Sequence, residues 1–167
     1  MERRKKEITI EGAIERMASL CSRSEQCELE IIRKLIKLGL PSSQRQEVID
    51  YLVENRYIDN ARYARSFAHD KARFSYWGPY KIKAELALRR IPATMITDAI
   101  GSIEDETWET GLMKCAESKS RNLDLWGEEG QKNCRKLYAY LINHGYAGSD
   151  VSRVIKTLRK KQKNKDE

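Results

Sequence analysis

Arg62, Arg65, His69 and Arg73 follow one another at steps of three, four and four. At about 100° per helical residue, that spacing gathers all four into roughly 80° of arc on one helix. Ala61, Ala64, Phe67, Ala68 and Ala72 fall on the other side. The chemistry open to such a ridge is electrostatic. Guanidinium groups fork onto phosphate or carboxylate oxygens and hold them without transforming them. Surface helices commonly expose charge, so the ridge gains weight only if the rest of the chain supports it.

Support comes from two further clusters. Lys81, Lys83, Arg89 and Arg90 decorate the next helical stretch, where Glu85 stands four residues before Arg89 and can offset it. Arg153, Lys156, Lys160 and Lys163 form a stripe near the end, and Arg159 to Lys165 holds five basic residues that also suit a frayed, solubilising end. The whole chain is only +7, with 32 Lys and Arg against 25 acids, so placement matters more than total. Together the clusters point to phosphates or an acidic protein surface. Phe74, Tyr76 and Trp77 lie between Arg73 and Lys81. They suit either stacking on single-stranded bases or hinge packing between helices, with Tyr57 and Tyr80 in the same packing.

Catalytic chemistry is missing. The chain has no G-x-x-x-x-G-K-[ST] phosphate loop, no G-x-G-x-x-G turn and no G-x-S-x-G elbow. Glu104, Asp105 and Glu106 resemble metal ligands but suit a first helical turn, where acids complement the helix dipole. Cys21, Cys27, Cys115 and Cys134 form no C-x-x-C pair, and His69 and His144 sit inside helical patterns. We therefore expect no enzyme, no metal and no cofactor. No apolar run approaches a membrane span, and the charged start lacks a signal-peptide core. The expectation is a cytoplasmic protein with no membrane contact.

These side chains are positioned by a repeat of about 50 residues anchored at Pro41, Pro92 and Ala147. Ten before each anchor stand Ile31, Ile82 and Leu137; six before stand Leu35, Leu86 and Leu141; one before stand Leu40, Ile91 and Tyr146. Eight after stand Ile49, Ile100 and Ile155, and eleven after stand Leu52, Ile103 and Leu158. Apolar spacing of three and four dominates, and strand-like alternation is absent. The pattern predicts an all-α protein of three tandem three-helix repeats, elongated and curved. A charged tail at 1–10 precedes repeats at 11–56, 57–103 and 104–160, and a basic tail follows at 161–167.

Within the repeats the spacing predicts helices over about 11–21, 24–38 and from Ser42 or Ser43 as cap, with Val48, Ile49, Leu52 and Val53 on one face. Gly39 should end the second of these. Asp59 caps a helix to about Phe74, Pro79 opens one reaching Arg90, and Thr94 to Ile103 forms another. A helix from Glu104 fades near Asn122. One over 131–144 is stopped by Gly145, and Ser149 or Asp150 caps the last, which buries Val151, Val154, Ile155 and Leu158.

Arg56-Tyr57-Ile58-Asp59-Asn60-Ala61-Arg62-Tyr63-Ala64, then Phe67, Arg73, Gly78-Pro79, Ile82, Glu85-Leu86 and Ile91, resemble the signature of the RecX family. That signature reads approximately Gly-Tyr-Leu-Asp-Asp-x-Arg-Phe-Ala, a Gly-Pro turn, then a helix with Ile and Glu-Leu. This chain departs at Arg56, where glycine is usual, at Asn60 and at Tyr63. Arginine resists the positive φ that glycine permits. The resemblance implies a non-enzymatic bacterial regulator that binds in the helical groove of the RecA–DNA filament, inhibiting its ATPase and strand exchange. It makes Tyr57, Asp59, Phe67, Gly78, Pro79 and Leu86 the structural motif. The expected partner contacts are Arg62, Arg65 and Arg73, then Lys81, Lys83 and Arg90, with Arg153, Lys156 and Lys160. The expected partners are the RecA filament and, weakly, single- or double-stranded DNA, met by a monomer. The alternative is a helical DNA-binding transcription regulator reading bases with Gln44, Arg45 or Gln46; a protein scaffold is a third reading.

Overall fold

The structure, a computed structural model, describes residues 8–166. Residues 1–7 of the expected charged tail lie outside them. The described residues form nine α-helices and no strand: α1 Ile10–Cys21, α2 Glu28–Lys37, α3 Ser42–Glu54, α4 Asn60–Phe74, α5 Pro79–Leu88, α6 Ala93–Gly101, α7 Asp105–Ser120, α8 Gly130–Asn143 and α9 Gly148–Asp166. No described helix is long and apolar enough to cross a membrane.

The recurrent apolar positions are what each unit buries. Ile31, Leu35, Leu40, Ile49 and Leu52 centre one core, with Ala13 and Met17 of α1. Ile82, Leu86, Ile91 and Ile103 centre a second, covered by Ala64, Ala68 and Ala72 of α4, and Ile100 packs on it partly buried. Leu137, Leu141, Tyr146, Ile155 and Leu158 centre the third. Each large aliphatic side chain so buried contributes about 1.5–3 kcal/mol, which is why three helices suffice for a unit. The cores are also stitched together. Cys27 from the first unit lies in the second core, Trp108 from the third packs on that same core, and Tyr76 packs on the third. Between units, the most extensive helix contact among the described residues is α4 on α7. The accessible surface is 11545 Å², against about 8500 Å² for a compact monomer of this mass. A row of units accounts for the excess.

All three units turn from second to third helix in the same way. Gly39, Arg90 and Gly145, each two residues before the anchor, take φ of +85°, +58° and +92°. The following amide then reaches back five residues in each case: Leu40 to the Leu35 carbonyl, Ile91 to Leu86 and Tyr146 to Leu141. This is the Schellman arrangement that satisfies a helix's last carbonyls. Arg56 also takes positive φ, +57°, where the family signature has glycine. Arginine accepts the left-handed conformation there rather than moving the end of α3.

Several boundaries differ from the sequence reading. α2 starts at Glu28, not near Ser24, because Gln26 folds back onto Ser24 and the Glu25 carbonyl, leaving Cys27 extended as the cap residue. Pro41 occupies the cap position of α3, so Ser42 is already helical and makes no side-chain cap. Val53 is 43% exposed and off the buried face of Val48, Ile49 and Leu52. α5 ends at Leu88, two residues before Arg90, and α6 starts at Ala93. Ser149 and Asp150 lie inside α9, which begins at Gly148. α9 also continues through the expected basic tail: Lys161 pairs with Glu117 at 3.3 Å, and Gln162 bridges the Leu123 carbonyl and Leu125 amide.

Candidate interaction surface

Asp59 sets the start of the helix that carries the ridge. Its carboxylate accepts from the Arg62 amide at 3.0 Å, satisfying one of the amides a helix start leaves open. Asn60 locks that start to the first unit: it accepts from the Glu28 amide at 3.3 Å and donates to the Glu28 carboxylate at 3.1 Å. The burial of Ala64, Ala68 and Ala72 then orients the opposite face outward.

The ridge is not uniform. Arg62 Nε donates to Glu25 at 2.6 Å, and its Nη2 reaches the Arg56 and Tyr57 carbonyls at 3.3 and 3.4 Å. The hydrogen bond to Glu25 raises the Arg62 pKa. Arg62 is therefore a strut between the first two units, although 44% of its side chain stays exposed. His69 sits 3.1 Å from the Ser102 hydroxyl. Arg65 and Arg73 are exposed with no ion-pair partner among the described residues. Arg73 lines a cleft of about 300 Å³ between α4 and α7, with Tyr76, Glu104, Glu106 and Lys114.

The next helix divides in the same way. Lys83 and Arg90 are exposed and unpaired among the described residues. Lys81 stands 4.3 Å from the Trp77 ring centre. Lys71, whose place the periodicity left open, lies over the same ring, 4.8 Å from Trp77, and 5.6 Å from Phe67. Arg89 is withdrawn: Nη1 binds Glu85 at 2.7 Å, and Nε donates to the Tyr63 hydroxyl, which donates to Glu30 at 3.0 Å. Burial works against the Arg89 charge, but its hydrogen bonds to Glu85 and Tyr63 and their charges together outweigh it, so its pKa rises. Burial, then the neighbouring Glu30, pushes the Tyr63 hydroxyl well above the ordinary phenol range. The joint between the first two units is thus a charged, hydrogen-bonded network.

The joint between the second and third units is tight backbone. The Gly78 amide donates to the His144 carbonyl at 2.7 Å. Tyr146, its hydroxyl pKa raised by burial, donates to the Tyr76 carbonyl at 2.9 Å. Phe67 stacks 5.9 Å from Tyr63 and meets Trp77 edge-on at 6.3 Å. Tyr76 and Trp77 are therefore hinge packing, whereas Phe74 is 78% exposed and Tyr80 63% exposed. Tyr57 packs on the first core, Pro79 opens α5, and Leu86 is fully buried.

In the third unit Arg153 is drawn to Asp150 at 3.1 Å and Glu109 at 4.0 Å. Lys156 and Lys160 are exposed and unpaired among the described residues. Residues 57–103 carry eight Lys and Arg against four acids, the largest share of the chain's excess.

A family model, RecX second three-helix domain, matches residues 59–100, the stretch holding the capped ridge and the Gly-Pro turn. The regulatory protein RecX of Clostridium tetani is 26% identical over 136 residues, covering 81% of this chain. That of Stenotrophomonas maltophilia is 26% identical over 156 residues, covering 92% of this chain and 91% of its own. The chain is similar to RecX regulatory proteins over most of its length. It spans 62% of the length of the Clostridium tetani relative. Two solved RecX structures share the fold. One, of a regulatory protein RecX, has TM-score 0.77 at 24% identity over 89% of this chain and 71% of that one. The other, RecX from Lactobacillus salivarius, has TM-score 0.74 at 20% identity over 89% of this chain and 96% of that one. In this chain the Gly78-Pro79 turn packs on the turn after α8: the Gly78 and Tyr80 amides donate to the His144 and Gly145 carbonyls.

Sequence reasoning overlooked Arg135 and Tyr138, which line a groove of about 600 Å³ with Lys156 and Arg159. The spacing of Gln131, Arg135, Tyr138 and Ile142 along α8 carries the same signal as the ridge of α4.

Proposed function

We propose that this chain is a regulator of the RecA recombinase. It lies along the helical groove of the RecA–DNA filament and lowers ATP turnover and strand exchange. Similarity supports this reading most directly, since the proteins the chain resembles carry the name regulatory protein RecX. The architecture is compatible: units in a row can meet successive protomers, and linked contacts gain affinity through effective concentration. Arg65, Arg73, Lys83 and Arg90 supply exposed cations on the middle unit for acidic protomer surfaces or DNA phosphates. The protein acts as a cytoplasmic monomer without cofactor and is not an enzyme.

The transcription-regulator reading has less support. Arg45 donates to the Leu40 carbonyl at 2.6 Å, and Gln46 to Asp50 at 2.8 Å, so two of the three side chains proposed to read bases are engaged at home. Co-sedimentation separates the readings. The chain should pellet with RecA filaments assembled on single-stranded DNA with a non-hydrolysable ATP analogue. Absence from the pellet, with tight sequence-selective binding to bare duplex, would favour the alternative.

A further inference from the structure

α8 and α9 lie side by side in the third unit and leave a groove of about 600 Å³ open between them. Its apolar floor includes Ile155. Its walls carry Arg135 from α8 and Lys156 and Arg159 from α9, with no carboxylate among the lining side chains. Arg135 and Lys156 are exposed and have no ion-pair partner among the described residues. The contrast with the α4–α7 cleft is direct, because there Glu104 and Glu106 oppose Arg73 and Lys114.

Two aromatic rings accompany these cations. Tyr138 lines the groove and keeps 41% of its surface open. Trp126 is 45% exposed, its ring 4.3 Å from the Arg159 guanidinium, and its indole donates to the Arg159 carbonyl. Arg159 is thereby held in place, with its Nε buried and without a hydrogen-bond partner among the described residues. The Trp126 ring is met by Arg159 and Lys163, so Tyr138 is the open ring of the groove. Cations for a phosphate backbone beside an open aromatic ring for a base are what binding of a single strand without sequence preference requires.

We infer that the α8–α9 groove is a single-stranded nucleic-acid site, with Arg135 and Lys156 on phosphates and Tyr138 stacked on a base. This shares with the filament reading only the premise that DNA is a ligand, and it requires no recombinase.

The test is fluorescence anisotropy of the full chain with a labelled oligo-dT, without recombinase, over a salt series. Combined Arg135→Glu and Lys156→Glu should weaken binding at least about tenfold. Neutralising them as Arg135→Gln and Lys156→Gln should flatten the log–log salt dependence by about 1.4, two phosphates at about 0.7 each. Tyr138→Ala should weaken binding about tenfold, whereas Tyr138→Phe, which keeps the ring, should retain it. Helicity by circular dichroism checks that each variant folds. Wild-type affinity in folded Tyr138→Ala overturns the inference. So does intact DNA binding in the charge-reversed variant when filament inhibition is lost, because the groove then docks protein.

Discussion

Gly78 and Gly145 meet backbone to backbone. The turn before α5 presses on the turn after α8, and a Cβ built on Gly78 would overlap the Gly145 carbonyl and stand 2.8 Å from the Tyr146 nitrogen. The Tyr80 amide donates to the Gly145 carbonyl at 3.0 Å across the same contact. A glycine there is a joint between repeats, not a loosening of the chain.

Gly78→Ala should therefore separate the second and third units or strain both turns. Overlap with backbone cannot be relieved by a rotamer change, so the loss should be about 2 kcal/mol and Tm should fall by about 4–8 °C. Thermal unfolding followed by circular dichroism reads this. An unchanged Tm would mean that the joint is loose.

Arg90→Gly should act in the opposite direction. Arg90 holds φ of +58° at the position where the other units have Gly39 and Gly145. Relief of the left-handed strain, less the greater freedom of glycine when unfolded, leaves about 0.5–1 kcal/mol of stabilisation. Chemical denaturation should show a higher midpoint with an unchanged slope. A lower midpoint would show that the Arg90 side chain contributes more than its backbone costs.

The ridge should divide into a strut and free cations. Arg62→Glu places a second carboxylate beside Glu25 and should lower stability by about 1 kcal/mol, a modest figure because the pair is partly exposed. Combined Arg65→Glu and Arg73→Glu should leave the unfolding midpoint within about 0.5 kcal/mol and weaken inhibition of the recombinase. If that pair of reversals leaves inhibition intact, the ridge is solvated decoration.

Asp59→Ala removes the carboxylate that accepts from the Arg62 amide and should cost about 1 kcal/mol. Asp59→Asn keeps an acceptor and should recover most of it. Urea denaturation of the two variants against the parent makes the comparison, and equal losses would deny the cap its role.

Asp124 gives a pH signature. It accepts from the Gly127 and Trp126 amides, and these hydrogen bonds lower its pKa below the ordinary 3.8. A depressed folded pKa means that the loop's stabilisation is present above the unfolded value and is lost as pH falls through the folded one. The Trp126 and Gly127 amide resonances should shift with a midpoint below 3.8. A midpoint above that value would contradict the assignment.

The fold was legible where periodicity is local. Ile31 and Leu35, with their counterparts in the other units, mark cores that one three-helix unit can bury. Asp59, Pro79, Gly39 and Gly145 mark ends through their own backbone chemistry. Beside the local fold-back of Gln26, the start of α2 was hidden because Glu25 is drawn to Arg62, and Cys27 to the second core, contacts between residues far apart in sequence. For the same reason Arg62 read as a free cation, when its partner lies in another unit. Arg153 read likewise, although Asp150 stands only three residues away. The groove of Arg135 and Tyr138 was hidden by being assembled from two helices, neither of which shows it alone.

The most direct measurement is a titration of this chain into cognate RecA hydrolysing ATP on single-stranded DNA. Turnover should fall at chain-to-RecA ratios well below one, because a chain seated in the groove affects more than one protomer. Unchanged turnover with a fully helical, folded chain would contradict the account.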